Sequence, residues 1–116
     1  MAIVAKGVDL SHHNGIVDFE ALSKSVSFVI LKAGGSEKRG HHQFKDIMFE
    51  NNYKAAKKAG LNVGVYFFAG PDLNEHNAID DAEYLWRLLQ GKQFEYPVFL
   101  DIEAQYKYNI IQTTQA

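Results

Sequence analysis

The chain has 116 residues, of which 47% are hydrophobic and 22% are charged, and its formal net charge is −2. This length and composition are typical of one globular domain with its own core, and the near-neutral balance argues against a surface built to bind nucleic acid or an acidic membrane. The short apolar runs exclude a membrane-spanning helix, and the absence of cysteine excludes disulfides, cysteine zinc ligands and a cysteine nucleophile.

The first predicted elements alternate between strand and helix. Residues 8–11 form a short strand candidate, and an Asn-Gly turn signal follows it. Asp18 can cap a short helix that begins at the next residue. The apolar, β-branched run 27–33 is typical of a parallel strand that is buried on both faces, and two glycines end it.

The alternation continues in the second half of the chain. Residues 43–59 predict a helix, because small and apolar residues recur there at spacings of three and four. The positions in this stripe are Phe44, Ile47, Met48, Asn52, Ala55 and Ala59. Gly60 stands where a helix C-cap belongs. A third strand over 62–69, a second long helix over 75–90 and a fourth strand over 96–103 complete the pattern.

This order of elements predicts an α/β fold with a parallel sheet. Each crossover is long enough to bring the chain back for parallel pairing. We expect a single domain over residues 1–116, because no internal repeat, low-complexity stretch or linker interrupts the chain. In parallel α/β folds, ligands bind at the carboxyl ends of the strands, so candidate functional residues are expected there.

Carboxylates stand on the first and last predicted strands. Asp9 lies on the first strand, and Asp101 and Glu103 end the last one. Because alternate residues of a strand share a face, Asp101 and Glu103 are expected to point the same way. A lone acid at a strand end is more often a cap or turn residue, but two neighbouring acids raise the pKa of one of them, which suits a general acid. The three acids therefore favour a function, and glycoside hydrolysis needs such a pair.

Three other residues lie near the same predicted edge of the sheet. Tyr66 and Phe68, at the end of the third strand, are equally consistent with core packing and with a surface on which a sugar stacks. Lys32, at the end of the second strand, is most simply the partner of a strand-end acid.

Several remaining polar and aromatic residues have simpler interpretations. Two histidine pairs have poor spacing for a shared metal ion and are most simply loop residues, namely His12-His13 and His41-His42. Trp86 is most simply a packing residue on a helix. Asp46 and Asn52 are most simply polar groups on a helix surface or at a helix-to-loop junction.

Four blocks of sequence resemble glycoside hydrolase family 25, the Chalaropsis-type lysozymes or N-acetylmuramidases. In chain order they are residues 7–15 (GVDLSHHNG), 28–35 (FVILKAGG), 49–68 and 96–103 (YPVFLDIE). Any one block is weak evidence, but the four together, in the family's order, are specific. The resemblance implies a modified TIM-type (β/α) barrel, of which this chain would carry the first four βα units.

The resemblance also implies a reaction. The family cleaves the β-1,4 bond between N-acetylmuramic acid and N-acetylglucosamine in bacterial peptidoglycan, and no metal or cofactor is implied. Glu103 would donate the proton to the leaving oxygen. Asp101 would stabilise charge at the reacting sugar or orient its N-acetyl group, and Asp9 would hold substrate or tune the other acids. Substrate binding is expected from Tyr66, Phe68 and Lys32. Retaining, substrate-assisted and inverting routes all stay open.

The barrel of the family continues beyond the Asp-x-Glu strand and carries a further cleft acid, whereas only residues 104–116 follow that strand here. A four-stranded sheet would leave the first and last strands with open edges, which invite pairing with another chain. We therefore expect either a fragment of a longer protein or a homodimer formed through those edges. A stable monomer in light scattering at micromolar concentration would contradict the dimer.

Two other classes of function remain open. One is a half-domain that binds peptidoglycan without cleaving it, and the other is an unrelated parallel α/β ligand-binding protein. Against the latter, residues 9–13 (DLSHH) stand where a glycine-rich phosphate loop would follow the first strand. Action on the cell wall implies an extracellular or phage-lysis setting, although residues 1–7 lack the basic and apolar regions of a secretory signal.

Overall fold

The computed structural model describes residues 5–36, 42–70 and 74–102. The strands are β1 (Gly7–Leu10), β2 (Phe28–Ser36), β3 (Gln43–Lys45), β4 (Asn62–Ala69) and β5 (Val98–Ile102). The helices are α1 (Phe19–Leu22), α2 (Phe49–Lys58) and α3 (Glu75–Leu88), and a single 3₁₀ turn (His12–Asn14) follows β1.

The sheet is mostly parallel, in the spatial order β1-β2-β4-β5. These four strands pair in parallel with their neighbours, and helices α1, α2 and α3 lie in the crossovers between them. The α/β fold predicted from the sequence is confirmed. The arrangement is that of consecutive βα units of a (β/α) barrel, with β1 and β5 as the edges of the sheet within the described part of the chain.

The short strand β3 corrects one prediction. The helix predicted to begin near residue 43 begins at Phe49, because the preceding residues pair antiparallel with the end of β2. This pairing depends on Gly34, where a Cβ atom would lie 2.1 Å from the backbone oxygen of Phe44. The helical spacing of apolar residues across this segment was therefore misleading, and Ile47 is 85% exposed.

The hydrophobic core lies between the sheet and the helices. Alternate residues of the two central strands are fully buried on this face: Val29 and Leu31 of β2, and Val63, Val65 and Phe67 of β4. Phe49 and Ala56 of α2 pack into the same cluster, as does Phe19 of α1. Trp86, predicted to pack, is instead 65% exposed on α3, so that prediction is wrong.

The helix ends follow local sequence signals. The Asp18 side chain accepts a hydrogen bond from the Ala21 backbone N–H at 3.0 Å, which confirms it as the N-cap of α1. Gly60 adopts φ +82° beyond the end of α2, a conformation that favours glycine. No helix in the three described segments combines the length and apolarity needed to cross a bilayer.

Candidate active site on the open face of the sheet

An open groove of about 670 Å³ lies on the face of the sheet opposite the helices. Its walls include Asp9, Phe28, Ile30, Tyr66, Phe99 and Asp101. The fold therefore brings together three of the residues singled out in the sequence, one from each of β1, β4 and β5. Carboxylates and aromatic rings face the same space, as a carbohydrate site requires.

Strand alternation explains why these side chains meet. On β4, Tyr66 and Phe68 alternate with the buried residues Val65 and Phe67, so they face away from the helices. On β5, Phe99 pairs with Tyr66 and Asp101 pairs with Phe68 in the parallel register. The sheet thus sets each β5 groove residue beside an aromatic residue of β4.

The pKa of Tyr66 reflects the burial and the negative charges around the groove. Its partial burial, followed by the nearby negative charge of Asp9, raises the pKa of the phenol to about 12. Asp101 and Asp46 raise the Tyr66 pKa further, and a hydrogen bond with the Ser11 side chain acts in the opposite direction. The Tyr66 hydroxyl therefore keeps its proton at neutral pH and remains a hydrogen-bond donor beside the carboxylates.

We expect Tyr66 to titrate with a pKa of about 12 rather than the usual value of 10.0. An ultraviolet titration of tyrosinate, as the difference between wild type and Tyr66→Phe, measures this directly. Below pH 10 both the folded and the unfolded chain hold the Tyr66 proton. As the pH rises toward 12 the unfolded chain loses it first, so the contribution of Tyr66 to stability is lost in that range. A midpoint near pH 10 in the difference titration would contradict the raised pKa of Tyr66.

Lys32 is buried on the same side of the sheet. Its Nζ lies 5.2 Å from the ring centroid of Phe44 and 5.3 Å from that of Phe68. Two aromatic faces thus stabilise the ammonium charge by cation–π interaction. The partner predicted for Lys32 was a strand-end acid, and one such acid, Glu103, lies outside the described residues.

Sequence reasoning missed the contact between Asp46 and His12. Asp46 is buried, not on a helix surface, and its Oδ1 lies 2.6 Å from Nδ1 of His12. His12 is accordingly not a freely solvated loop residue. Asp46 also makes a local contact, because its Oδ2 accepts the Met48 backbone N–H at 3.1 Å just before α2 begins. Aspartate commonly makes such a bond to the backbone two residues further on, and this preference was the signal available in the sequence.

Asn52 also departs from its predicted place. It lies on α2 but is almost completely buried, and its Oδ1 finds no hydrogen-bond partner among the residues that the structure describes. The prediction of a surface polar group is therefore wrong. Its position in the predicted apolar stripe of the helix was the correct signal.

Two predicted features lie outside the described residues, namely Glu103 and the pair member His41. Within segments 5–36, 42–70 and 74–102, no three histidine or acidic side chains come together in a way that could hold a metal ion.

Comparison with known proteins identifies the family. The sequence model of glycosyl hydrolases family 25 matches residues 8–116. The autolytic lysozyme of Clostridium acetobutylicum is 29% identical over 100 residues, which is 85% of this chain and 28% of that protein. Lysozyme M1 of Streptomyces globisporus is 32% identical over 77 residues, 66% of this chain and 24% of that protein. The chain thus spans about a quarter of the length of these curated relatives.

Solved structures agree with this match. A family 25 lysozyme from Aspergillus fumigatus superposes with a TM-score of 0.70 at 29% identity, over 95% of this chain and 54% of that one. A family 25 glycosyl hydrolase from Bacillus anthracis gives a TM-score of 0.66 at 25% identity, over 95% of this chain and 46% of that one. Because the sequence model matches nearly the whole chain and solved members share its fold, the chain belongs to glycosyl hydrolases family 25.

Proposed function

We propose that this chain carries the catalytic strand of a peptidoglycan hydrolase that cleaves the β-1,4 bond between N-acetylmuramic acid and N-acetylglucosamine. The observation that carries the proposal is the convergence of Asp9, Tyr66 and Asp101 on one groove in a family 25 chain. The names of its relatives, an autolytic lysozyme and lysozyme M1, support the substrate class. Bacterial cell wall is then the partner and the place of action.

The proposed roles follow from charge and position. Glu103, two positions beyond Asp101 in the sequence, donates a proton to the leaving oxygen. Asp101 stabilises the positive charge that develops at the reacting sugar, or orients the N-acetyl group for attack. Asp9, on the opposite side of Tyr66, holds the sugar or tunes the other acids. Tyr66 donates a hydrogen bond from a hydroxyl that stays protonated.

The walls of the groove suit a sugar. Phe28 and Phe99 offer apolar surface on which the face of a sugar ring can stack, while Asp9 and Asp101 can accept hydrogen bonds from its hydroxyl groups. Phe68 and Lys32 extend the same side of the sheet. Lys32, held between two rings, adds a positive charge that suits the carboxylates of peptidoglycan.

Digestion of purified peptidoglycan tests the proposed bond. After digestion, borohydride reduction converts each new reducing end to its alditol, which chromatography with mass spectrometry identifies. A muramidase yields muramitol ends, which is the expected result. Glucosaminitol ends would contradict the bond assignment but keep a glycosidase, and new amino groups without new reducing ends would remove the glycosidase altogether.

A non-catalytic peptidoglycan-binding half-domain is the second candidate. It is supported by the exposure of β5, where Val98, Phe99 and Leu100 are each about half exposed and the groove is open on that side. Such a surface can hold a glycan without enclosing it. Co-sedimentation with insoluble cell walls, without release of reducing ends, would favour this candidate over the enzyme. Homodimer formation through the edges β1 and β5 stays a prediction.

A further inference from the structure

A buried carboxylate fixes a histidine in the turn that follows β1. The Asp46 side chain has no exposed surface, and its Oδ1 lies 2.6 Å from Nδ1 of His12. The same oxygen accepts the His12 backbone N–H at 3.2 Å, and Oδ2 accepts the Met48 backbone N–H at 3.1 Å. Asp46 thus ties the turn after β1 to the start of α2.

These contacts determine which ring nitrogen carries the proton. Both oxygens of Asp46 already accept backbone N–H groups, so the carboxylate acts as the acceptor and His12 supplies the proton from Nδ1. Neutral His12 is therefore in the Nδ1–H tautomer. Its Nε2 carries a free lone pair in that tautomer and becomes a donor when the ring is protonated.

His12 lies in the turn after β1, which follows the strand residues that line one side of the groove. It lies three positions after Asp9, and its neighbour Ser11 is buried and hydrogen-bonded to Tyr66. The His12 side chain is 36% exposed, whereas that of Asp46 is not exposed at all. Because Nδ1 is held against the buried carboxylate, the other edge of the ring, which carries Nε2, is the part left to meet a ligand.

We propose that His12 is a further substrate-binding residue of this groove and that Asp46 is its positioning residue. The Nε2 atom would bind a hydroxyl or acetamido group of a β-1,4-linked amino sugar next to the sugar held by Asp9 and Tyr66. This inference rests on the proposed function, because it takes the ligand to be a glycan. Because Asp46 already fixes the orientation of the His12 ring, glycan binding costs less side-chain conformational entropy.

The substitution His12→Asn separates the two roles of the ring. The amide nitrogen of asparagine is as many bonds from Cα as Nδ1 is, so it can still donate to Asp46, but nothing replaces Nε2. His13→Asn is the matched control, because it makes the same change in the neighbouring ring, which lies 4.0 Å from that of His12 at a tilt of 38°, and the His13 side chain makes no described bond to Asp46. Binding of chitotetraose, an oligomer of N-acetylglucosamine, is measured by calorimetry with the full chain.

We expect His12→Asn to weaken chitotetraose binding about threefold to tenfold, the effect of one lost hydrogen bond, and His13→Asn to change it less than about twofold. On cell walls, His12→Asn should raise KM and leave kcat nearly unchanged, as expected for a group that contacts substrate but not the reacting atoms. Nitrogen-15 NMR of the wild type should show the Nδ1–H tautomer for His12. The Nε2–H tautomer would overturn the positioning role of Asp46.

The remaining outcomes separate the two proposals. If the wild type cleaves cell walls and His12→Asn binds chitotetraose as tightly as the wild type does, the inference about His12 is wrong and the proposed function stands. If the wild type neither binds the oligomer nor cleaves cell walls, the proposed function fails, and the inference fails with it.

Discussion

Replacing Glu103 by glutamine is expected to lower the rate of cell-wall hydrolysis by about 10²- to 10⁴-fold, the contribution typical of a positioned general acid. Glutamine keeps the shape of the side chain but has no proton to give to the leaving oxygen. The rate is measured as the loss of turbidity of purified cell walls. Binding of chitotetraose should change little, because the proton moves only in the reaction.

The matched control is Glu83→Gln, which makes the same chemical change at an exposed position of α3. It should hydrolyse cell walls at the wild-type rate. Asp101→Asn provides a second comparison within the groove and should also lose activity, since it removes the charge proposed to face the reacting sugar. Equal rates for wild type and Glu103→Gln would remove the catalytic role of Glu103, and no activity in the wild type would favour the binding half-domain.

Replacing Phe67 by alanine is expected to lower the free energy of unfolding by about 3–5 kcal/mol, the range for removing a buried phenylalanine. Phe67 is 1% exposed and lies between the sheet and α3, where its ring is 6.5 Å from that of Tyr84. It borders a cavity of about 150 Å³ beneath α3, so the substitution would enlarge an existing void. Urea unfolding followed by circular dichroism measures the change.

Phe99→Ala makes the same truncation on the other face of the sheet. Phe99 is 47% exposed, so its loss should cost about 1 kcal/mol or less, yet it lines the groove and its removal should weaken chitotetraose binding. The pair therefore separates stability from binding. If Phe99→Ala were as destabilising as Phe67→Ala, Phe99 could not lie on the half-exposed groove face of the sheet.

Most of the parallel architecture could be predicted from the sequence. Strands β2 and β4 are runs rich in β-branched and apolar residues, and such runs are recognisable in the sequence without knowledge of the elements that pack on them. The cap residues Asp18 and Gly60 mark helix ends through contacts and conformations that span only a few residues. The acids Asp9 and Asp101 were identified because strand ends in parallel folds face a common space.

The bond between Asp46 and His12 could not be predicted in this way. Its partner His12 is 34 positions away in the sequence, and no local pattern encodes a bond of that separation. The segment before α2 has helical spacing, but its pairing with β2 supplies backbone hydrogen bonds that a longer helix would give up. Local propensity is a weak preference, and tertiary pairing overrode it here.

The sequence by itself determined the order of the four parallel strands along the chain, the family resemblance and the placement of Asp9 and Asp101 on strands, because strand alternation and helix capping act between near neighbours. The tertiary structure decided that Tyr66 lies between Asp9 and Asp101, with its pKa raised to about 12, and that Asp46 fixes His12 in the turn after β1. The physical reason is distance. Charge and burial act through space, and only the folded sheet brings residues from β1, β4 and β5 within reach of one another.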